Sequence, residues 1–284
     1  MHTPKKPGFS GPITSAGPVH RPERGVALDG VTCGYAPGRA VLRGVSARLQ
    51  PCRLTALLGP NASGKSTLLK TVLGQLQPQK GSARVDGRPV GALGAAERAR
   101  RIAYVPQRGG VGFAYRVRQV VAMGRFAFRD EAFVDAALNK LDLTDEADRV
   151  FAELSGGQQR RVLLARAWAQ SRGPEGQAPG GGVVLADEPD AGLDLQHAHA
   201  AMGVLRELAR EGVAVLVVLH GLELAEGYAD EVWLMDRGRI VARGPRAEVM
   251  RPEVLDPVYG VALGEARDGE RRVFYVRGQG AVQS

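Results

Sequence analysis

The segment GPNASGKST, residues 59 to 67, has the spacing of a phosphate-binding loop, G-x-x-x-x-G-K-S. An apolar strand, 54 to 58, precedes it, and apolar residues at helical spacing follow it. In such a loop Lys65 reaches the β- and γ-phosphates of a nucleotide, and the Ser66 hydroxyl ligates Mg²⁺. The residues expected to contact the nucleotide are Gly59, Pro60, Asn61, Ala62, Ser63, Gly64, Lys65, Ser66 and Thr67.

A second apolar strand ends in two acidic residues, in the segment VVLADEPD at 183 to 190. Open α/β sheets bind ligands at the carboxyl ends of their strands, which is where Asp187 falls. We expect Asp187 to hold Mg²⁺ through water and Glu188 to take a proton from the attacking water. The alternative interpretation is a carboxylate pair on a surface loop.

A third buried strand, 213 to 219, is followed by His220. A single histidine after a strand is more often structural. Here it follows a strand of a nucleotide-binding sheet, so we expect it to hydrogen-bond the γ-phosphate.

The segment LSGGQ, residues 154 to 158, is a second candidate phosphate site. Ser155 is a good helix N-cap, Gly156 and Gly157 leave backbone N–H groups accessible, and the helix dipole adds about half a positive charge. One small chain thus has two phosphate-binding motifs about 90 residues apart.

The composition is that of a soluble globular protein of 284 residues, 44% hydrophobic and 24% charged. A net charge of +8 raises the possibility of nucleic acid binding, but lysine and arginine are scattered and aromatic residues make up only 5%. We expect no nucleic acid partner. No apolar run reaches the ~20 residues of a membrane span, and the two cysteines fit a reducing cytosol.

These motifs, in this chain order, resemble the ATP-binding subunit of ABC transporters over residues 26 to 265. LSGGQ is the signature of that family. The resemblance implies an α/β fold: a P-loop NTPase core with a mainly parallel sheet, an antiparallel β subdomain and an inserted α-helical subdomain at about 108 to 160. It also implies a head-to-tail homodimer, in which Ser155, Gly157 and Gln158 of one copy close over the γ-phosphate of ATP held by Lys65 of the other.

Three further positions match the family's pattern. Tyr35 lies where the family has an aromatic residue that stacks on adenine, although it could instead be a strand-edge tyrosine. Gln107 matches the glutamine that touches Mg²⁺ and relays to the membrane partner. Asp194 matches the aspartate that contacts the other subunit. ATP and Mg²⁺ are the cofactors that the resemblance implies.

Some positions depart from that pattern. Ala62 replaces a glycine, and if the backbone there needs a positive φ, the alanine costs roughly 1 kcal/mol and weakens binding. Cys52 stands where a Pro-Gly turn is usual. Asp190 and Gly192 replace threonine and alanine, and Gly221 replaces the aspartate after the histidine. None of these changes removes a catalytic group.

We divide the chain into a disordered tail (1–25), the ATPase domain (26–265) and a C-terminal strand with a tail (266–284). Two apolar helix faces are predicted between 117 and 141, a flexible loop at 171–182, and a hairpin at 231–244 turning at 236–238. The segment 271–278 is predicted to be the last strand.

The chain has one ATPase half and neither heptads nor cysteine clusters, which favours transport over a soluble relative acting on ribosomes or DNA. We expect it at the cytoplasmic face of the cell membrane, with separate transmembrane permease subunits and, indirectly, a substrate-binding protein. Segments 114–125, 218–230 and 250–263 resemble ATPases of haem, ferric-siderophore and cobalamin importers, and the loop at 171–182 resembles the haem branch. The expected cargo is therefore an iron chelate, haem first. Other metal-ion importers and exporters are the alternatives.

Overall fold

The computed structural model describes residues 13–14, 24–36, 38–107, 114–174, 182–269 and 271–277. The strands in these ranges are β1 (Ile13–Thr14), β2 (Val26–Cys33), β3 (Leu42–Leu49), β4 (Arg53–Leu58), β5 (Lys80–Val85), β6 (Arg88–Pro89), β7 (Ile102–Val105), β8 (Val183–Asp187), β9 (Ala214–Val218), β10 (Glu231–Asp236), β11 (Arg239–Pro245), β12 (Leu263–Asp268) and β13 (Arg271–Val276). The helices are α1 (Lys65–Val72), α2 (Ala95–Arg101), α3 (Val117–Ala122), α4 (Val134–Lys140), α5 (Gly156–Ser171), α6 (Leu195–Arg210), α7 (Leu222–Tyr228), α8 (Arg246–Val249) and α9 (Pro252–Tyr259).

The largest sheet has the strand order β1-β11-β10-β4-β9-β8-β7. Strands β10, β4, β9, β8 and β7 are parallel to one another. Every residue of β8 and β9 is buried, as expected for central strands covered on both faces. Because these strands are parallel, their carboxyl ends lie along one side of the sheet, which we call the carboxyl edge.

A four-stranded antiparallel sheet, β3-β2-β5-β6, packs with α1 on one face of the large sheet. Helices α3 to α7 and α9 cover the other face. Neighbouring residues of β4 point to opposite faces. Leu57 lies in the core between the large sheet and the antiparallel sheet, whereas Ala56 and Leu58 lie in the core between the large sheet and the helices on its other face. The predicted fold class, a mainly parallel core with antiparallel β and inserted helical subdomains, is confirmed.

The inserted helical part is described from residue 114 onward. Val117, Val120 and Val121 form the buried face of α3, and α4 buries Val134 together with neighbouring apolar residues, as the periodicity predicts. Arg125 is fully buried below these helices, where it donates to both oxygens of Asp130 and to the carbonyl oxygens of 169, 172 and 173. These bonds join the helical part to the end of α5.

The predicted hairpin at 231–244 is confirmed as β10 and β11, which turn at Arg237 and Gly238. Gly238 has a φ of 79°, and a Cβ there would lie 1.8 Å from the Val41 carbonyl oxygen. The glycine allows the turn to donate from its N–H to the Ser63 carbonyl oxygen at 2.8 Å. The turn therefore supports the phosphate-binding loop.

The predicted last strand is present as β13, which pairs with β12 in a separate hairpin. This hairpin starts at Leu263 and so crosses our division at residue 265, which remains a proposal. Of the predicted tail, Ile13 and Thr14 pair with β11, while 1–12 and 15–23 lie outside the described residues. In the predicted loop at 171–182, α5 continues to Ser171 and 175–181 lie outside the described residues.

Candidate active site

The phosphate-binding loop connects the end of β4 to the start of α1, at the carboxyl edge. Gly59 has a φ of 143°, and a Cβ there would lie 2.2 Å from the Met235 carbonyl oxygen. Gly64 has a φ of 110° and stands at the N-cap of α1. The buried Lys65 ammonium donates to the carbonyl oxygens of Gly59 at 2.7 Å and Pro60 at 3.0 Å. The two glycines thus shape a loop that closes around the lysine.

The N-terminus of α1 fits an anionic ligand. Gly64 offers no side-chain cap, so the first N–H groups of the helix have no side-chain acceptor there. The Ser63 hydroxyl is buried and has no hydrogen-bond partner among the described residues. The loop therefore presents unpaired donors and a lysine at one point, as a nucleotide phosphate requires.

The residues that depart from the family pattern differ in backbone conformation. Ala62 has a φ of 61° and Cys52 also has a φ of 61°, so both occupy the left-handed conformation that favours glycine. Gly192 has a φ of 74° and suits its position. Gly221 has an ordinary φ of −75° and N-caps α7 without a side-chain bond. The conditional expectation of strain at Ala62 is thus met.

Four predicted polar residues meet at the carboxyl edge. Asp187 ends β8, and Glu188 follows it. One Glu188 carboxylate oxygen accepts from Gln107 Nε2 at 2.5 Å, and the other lies 2.6 Å from His220 Nε2. Glu188 also has a φ of 49°, a conformation that costs a non-glycine residue about 1 kcal/mol or more. Its carboxylate is therefore held between two side chains from the neighbouring strand ends.

Burial shifts the pKa values of two groups near the Glu188 carboxylate. Burial lowers the pKa of Lys65, and the negative charges of Glu188 and Asp187 oppose that shift. Burial, and then the charge of Glu188, raise the pKa of Asp187. Two adjacent carboxylates in a partly buried site favour a cation beside them.

The donor set at this point fits Mg²⁺. Asp187 Oδ1 is buried and has no hydrogen-bond partner among the described residues. Those residues contain no cluster of three or more His, Cys, Asp or Glu suited to a metal. Mg²⁺ is typically bound by one or two carboxylates together with substrate phosphates, so a single carboxylate beside a phosphate loop is sufficient. Ser66 stands next to Lys65 and is exposed.

The predicted adenine platform lies beside this loop. Tyr35 is 61% exposed, and its hydroxyl is 3.4 Å from the hydroxyl oxygen of Thr67, in the first turn of α1. The Lys70 ammonium lies 5.2 Å from the centre of the tyrosine ring. An exposed ring next to the phosphate loop can stack on a base.

The second phosphate motif does not join the first within one chain. Ser155 caps α5, where it accepts from Gln158 N at 3.2 Å, and Gln158 Nε2 donates to Glu146. Arg160 donates to the Glu188 carbonyl oxygen, so Ser155, five residues earlier, lies about 7 Å further along the helix axis. Arg166 and Gln170, further along α5, donate to backbone carbonyl oxygens of β7, so Gly156 and Gly157 lie beyond the carboxyl end of β7, which is three strands and roughly 14 Å from β4.

Asp194 lies at the start of another helix. It N-caps α6 and accepts from His197 N at 2.8 Å, and hydrogen bonding to His197 lowers its pKa. Its side chain is largely exposed. The structure therefore leaves Asp194 accessible to another chain.

Two residues at the site were missed from the sequence. The Tyr104 hydroxyl donates to Asp187 Oδ2 at 3.5 Å, and burial raises the pKa of Tyr104 to about 12. Arg160 Nη1 donates to the Glu188 carbonyl oxygen at 3.0 Å. Tyr104 stands three residues before Gln107 and Arg160 two residues after the LSGGQ segment, and that proximity to motifs is the signal that could have found them.

Together the fold and the site define a P-loop ATPase, with a lysine loop, an acidic strand end, and a glutamine and a histidine that contact the Glu188 carboxylate on one sheet edge. The comparisons with known proteins agree. The family model described as "ABC transporter" matches residues 42–191. The chain therefore belongs to the ABC transporter family, as an ATP-binding and ATP-hydrolysing subunit.

Individual relatives carry more specific names. The hemin import ATP-binding protein HmuV of Pseudomonas fluorescens (strain Pf0-1) is 41% identical over 230 residues, covering 79% of this chain and 89% of that protein. HmuV of Streptomyces coelicolor is 43% identical over 229 residues, which cover 78% of this chain and 79% of that protein. A putative metal-chelate type ABC transporter in an inward-facing conformation has the same fold, with a TM-score of 0.73 at 24% identity. The match covers 90% of this chain and 98% of that one. The dimeric ADP- and phosphate-bound cassette MJ0796 has a TM-score of 0.67 at 25% identity. The match covers 78% of this chain and 98% of that one.

Proposed function

We propose that this chain is the ATPase subunit of an importer that takes up haem through separate membrane subunits. The observation that carries the proposal is the Glu188 carboxylate held by Gln107 and His220 beside the Lys65 loop. The cargo is supported by relatives at about 40% identity that are named hemin import ATP-binding proteins. Ferric siderophore and cobalamin are the alternative cargoes.

In the proposed reaction, ATP lies with its phosphates on the N-terminus of α1 and its adenine on Tyr35. Lys65 exchanges its bonds with the loop carbonyls for bonds with the β- and γ-phosphates. Glu188 accepts the proton of the attacking water, while His220 hydrogen-bonds the γ-phosphate. Bound Mg²⁺ would be held by Ser66, Asp187 and Gln107, and would neutralise charge on the phosphates.

We further propose that two copies pair head to tail. Ser155 is exposed, and Gly157 and Gln158 are partly exposed, at the N-terminus of α5, which lies beyond the carboxyl end of β7, three strands away from β4 and the Lys65 loop. A second copy turned by 180° places this helix N-terminus over the loop and closes the site. The MJ0796 cassette, which is similar in fold, is dimeric, and this supports the pairing of two copies.

The proposed membrane partner docks on a groove beside the helical part. Its walls include Arg100, Tyr115, Gln119, Met123 and Phe126. Phe126 is 86% exposed and Met123 39%, so an apolar surface is available. Among the described residues no helix is long and apolar enough to cross a membrane. We place the chain at the cytoplasmic face of the membrane, bound to permease subunits at this groove, with a substrate-binding protein as an indirect partner.

The cargo is tested by reconstituting the chain with its membrane subunits in vesicles. Haem, ferric siderophore and cobalamin are each offered on a binding protein, and ATP turnover and accumulation inside the vesicles are measured. Haem is expected to raise both quantities. If a free metal ion succeeds and all three chelates fail, the cargo assignment is wrong while the ATPase assignment stands.

A further inference from the structure

The C-terminal hairpin is joined to the helix after the catalytic histidine by a buried ion pair. Arg272, on β13, donates from Nε to Glu226 Oε1 at 3.2 Å and from Nη2 to Glu226 Oε2 at 3.0 Å. Arg272 also donates to the carbonyl oxygens of Arg246 and Ala247. One arginine thereby holds α7, α8 and the hairpin together.

The pair lies largely out of water. Glu226 is only 3% exposed, and the Arg272 side chain 11%. Arg246 adds a second guanidinium, with Nε 3.7 Å from Glu226 Oε2 and a hydrogen bond to the Glu226 carbonyl oxygen. A buried carboxylate without its partner is strongly destabilising, so this contact strongly favours one position of α7 on the hairpin.

Helix α7 begins directly after the histidine that faces the catalytic carboxylate. His220 precedes Gly221, the N-cap of α7, and Glu226 lies in the next turn of that helix. The opposite end of α7 is also fixed, since the Tyr228 hydroxyl is 2.9 Å from His199 Nδ1. A tilt of α7 therefore moves His220 relative to Glu188, which is 2.6 Å away.

The same C-terminal part also reaches the phosphate-binding loop. Tyr259, the last residue of α9, has a buried hydroxyl, and burial raises its pKa to about 12 against the opposing effect of the Gly59 backbone N–H in that loop. Helix α9 also packs against β12, and Asp256 accepts from Leu263 N at 3.0 Å. The described residues of 252–277, which we call the C-terminal support, thus contact α7 and lie near the phosphate-binding loop.

We propose that the C-terminal support sets the position of the catalytic histidine, and that Glu226 and Arg272 are positioning residues for ATP hydrolysis. This inference rests on the proposed role of His220. Neither residue lies in a nucleotide-binding motif, and both lie outside the range 42–191 that the family model matches.

The test compares Arg272→Met with Arg271→Met in the full chain. Arg271 lies on the same strand and is exposed, so the control makes an identical change on the other face. ATP turnover is measured well below both melting midpoints. Arg272→Met is expected to lower kcat by about tenfold, the value of one charge-assisted hydrogen bond, with KM for ATP changed less than about twofold. Equal kcat for the two variants would overturn the proposal.

A second background separates this proposal from the role of His220. Arg272→Met is expected to add no further loss of kcat in the His220→Ala chain, because both changes act through one histidine. An equal loss in both backgrounds shows that the ion pair does not act through His220 and overturns the inference. Normal activity of His220→Ala alone instead contradicts the proposed site. If Arg272→Met does not fold, the double variant Glu226→Gln with Arg272→Met, which leaves no unpaired buried charge at either position, is measured against the same two predictions.

Discussion

The two helices that begin with glycine-rich motifs use their N-termini differently. At α1, Gly64 provides no cap, and the buried Ser63 hydroxyl has no partner in the described part of the chain. At α5, Ser155 and Gln158 cap each other's backbone N–H groups. The first N-terminus leaves its N–H groups without a side-chain acceptor, whereas the second has already satisfied part of its own hydrogen bonding.

This difference suggests separate roles for the two helix N-termini, with α1 binding ATP and α5 closing over ATP bound to another copy. The α1 site has a lysine, a carboxylate pair and an aromatic ring from the same chain, so one copy can hold ATP. The Ser155 hydroxyl accepts from Gln158 N and still has its own hydrogen to donate. A capped, exposed N-terminus of this kind is suited to add a few bonds to a phosphate that another surface already holds.

The largest expected effect comes from replacing Glu188, the proposed catalytic base. Glu188→Gln is expected to lower ATP hydrolysis by at least about a hundredfold, because the amide cannot accept the proton of water. ATP still binds, so the variant is expected to form a stable dimer that requires ATP and Mg²⁺. Phosphate release and light scattering measure the two outcomes. A chain that stays monomeric at saturating ATP argues against a composite site.

The next prediction distinguishes the two motifs by their effects on ATP binding and ATP hydrolysis. Lys65→Ala is expected to weaken ATP binding by at least about tenfold in the isolated chain, whereas Ser155→Arg leaves this binding unchanged and stops hydrolysis. Fluorescent nucleotide titration and phosphate release measure the two quantities.

Mixing the two variants tests the pairing geometry. A mixed head-to-tail dimer contains one intact site and one site with both changes, so the mixture is expected to be more active than the sum of the separate variants. Activity equal to that sum contradicts head-to-tail pairing, provided that the subunits exchange, which a labelled chain verifies.

A smaller effect is expected at the contact between α5 and the catalytic residue. Arg160→Met removes the donor to the Glu188 carbonyl oxygen and is expected to lower kcat by about fivefold to tenfold. Arg161→Met is the control, since Arg161 donates to the carbonyl oxygens of Leu141 and Asp142 in the helical part. If kcat falls more in Arg161→Met than in Arg160→Met, the bond from Arg160 to the Glu188 carbonyl oxygen is not the contact through which α5 affects hydrolysis.

The sequence was sufficient to predict the fold class and the residues at the strand ends. Buried parallel strands are continuous apolar runs, and their carboxyl ends meet at one edge, so Asp187, His220 and Gln107 could be expected together. The end of β9 was less predictable. Leu219 is buried and apolar, yet the strand stops at Val218, because pairing geometry rather than hydrophobicity ends a strand.

Long-range polar pairs were not predictable. Glu226 and Arg272 are 46 positions apart, and many other arginines in the chain could equally have paired with that carboxylate. Arg125 is a similar case, since its five hydrogen bonds reach a loop and the end of α5. Which charged side chain becomes buried depends on packing between elements, and local sequence patterns do not encode it.

The smallest expected effect concerns Ala62, within the first of the two compared motifs. Ala62→Gly and Cys52→Gly each relieve a φ of 61° and are expected to stabilise the fold by about 0.5–1 kcal/mol, or roughly 1–4 °C in Tm. Only Ala62 lies in the phosphate loop, so only Ala62→Gly is also expected to tighten ATP binding, by about twofold to fivefold. Calorimetry with and without nucleotide measures both effects. Equal tightening by Cys52→Gly, which is exposed and outside the loop, shows that the gain comes from general stability and not from the phosphate loop.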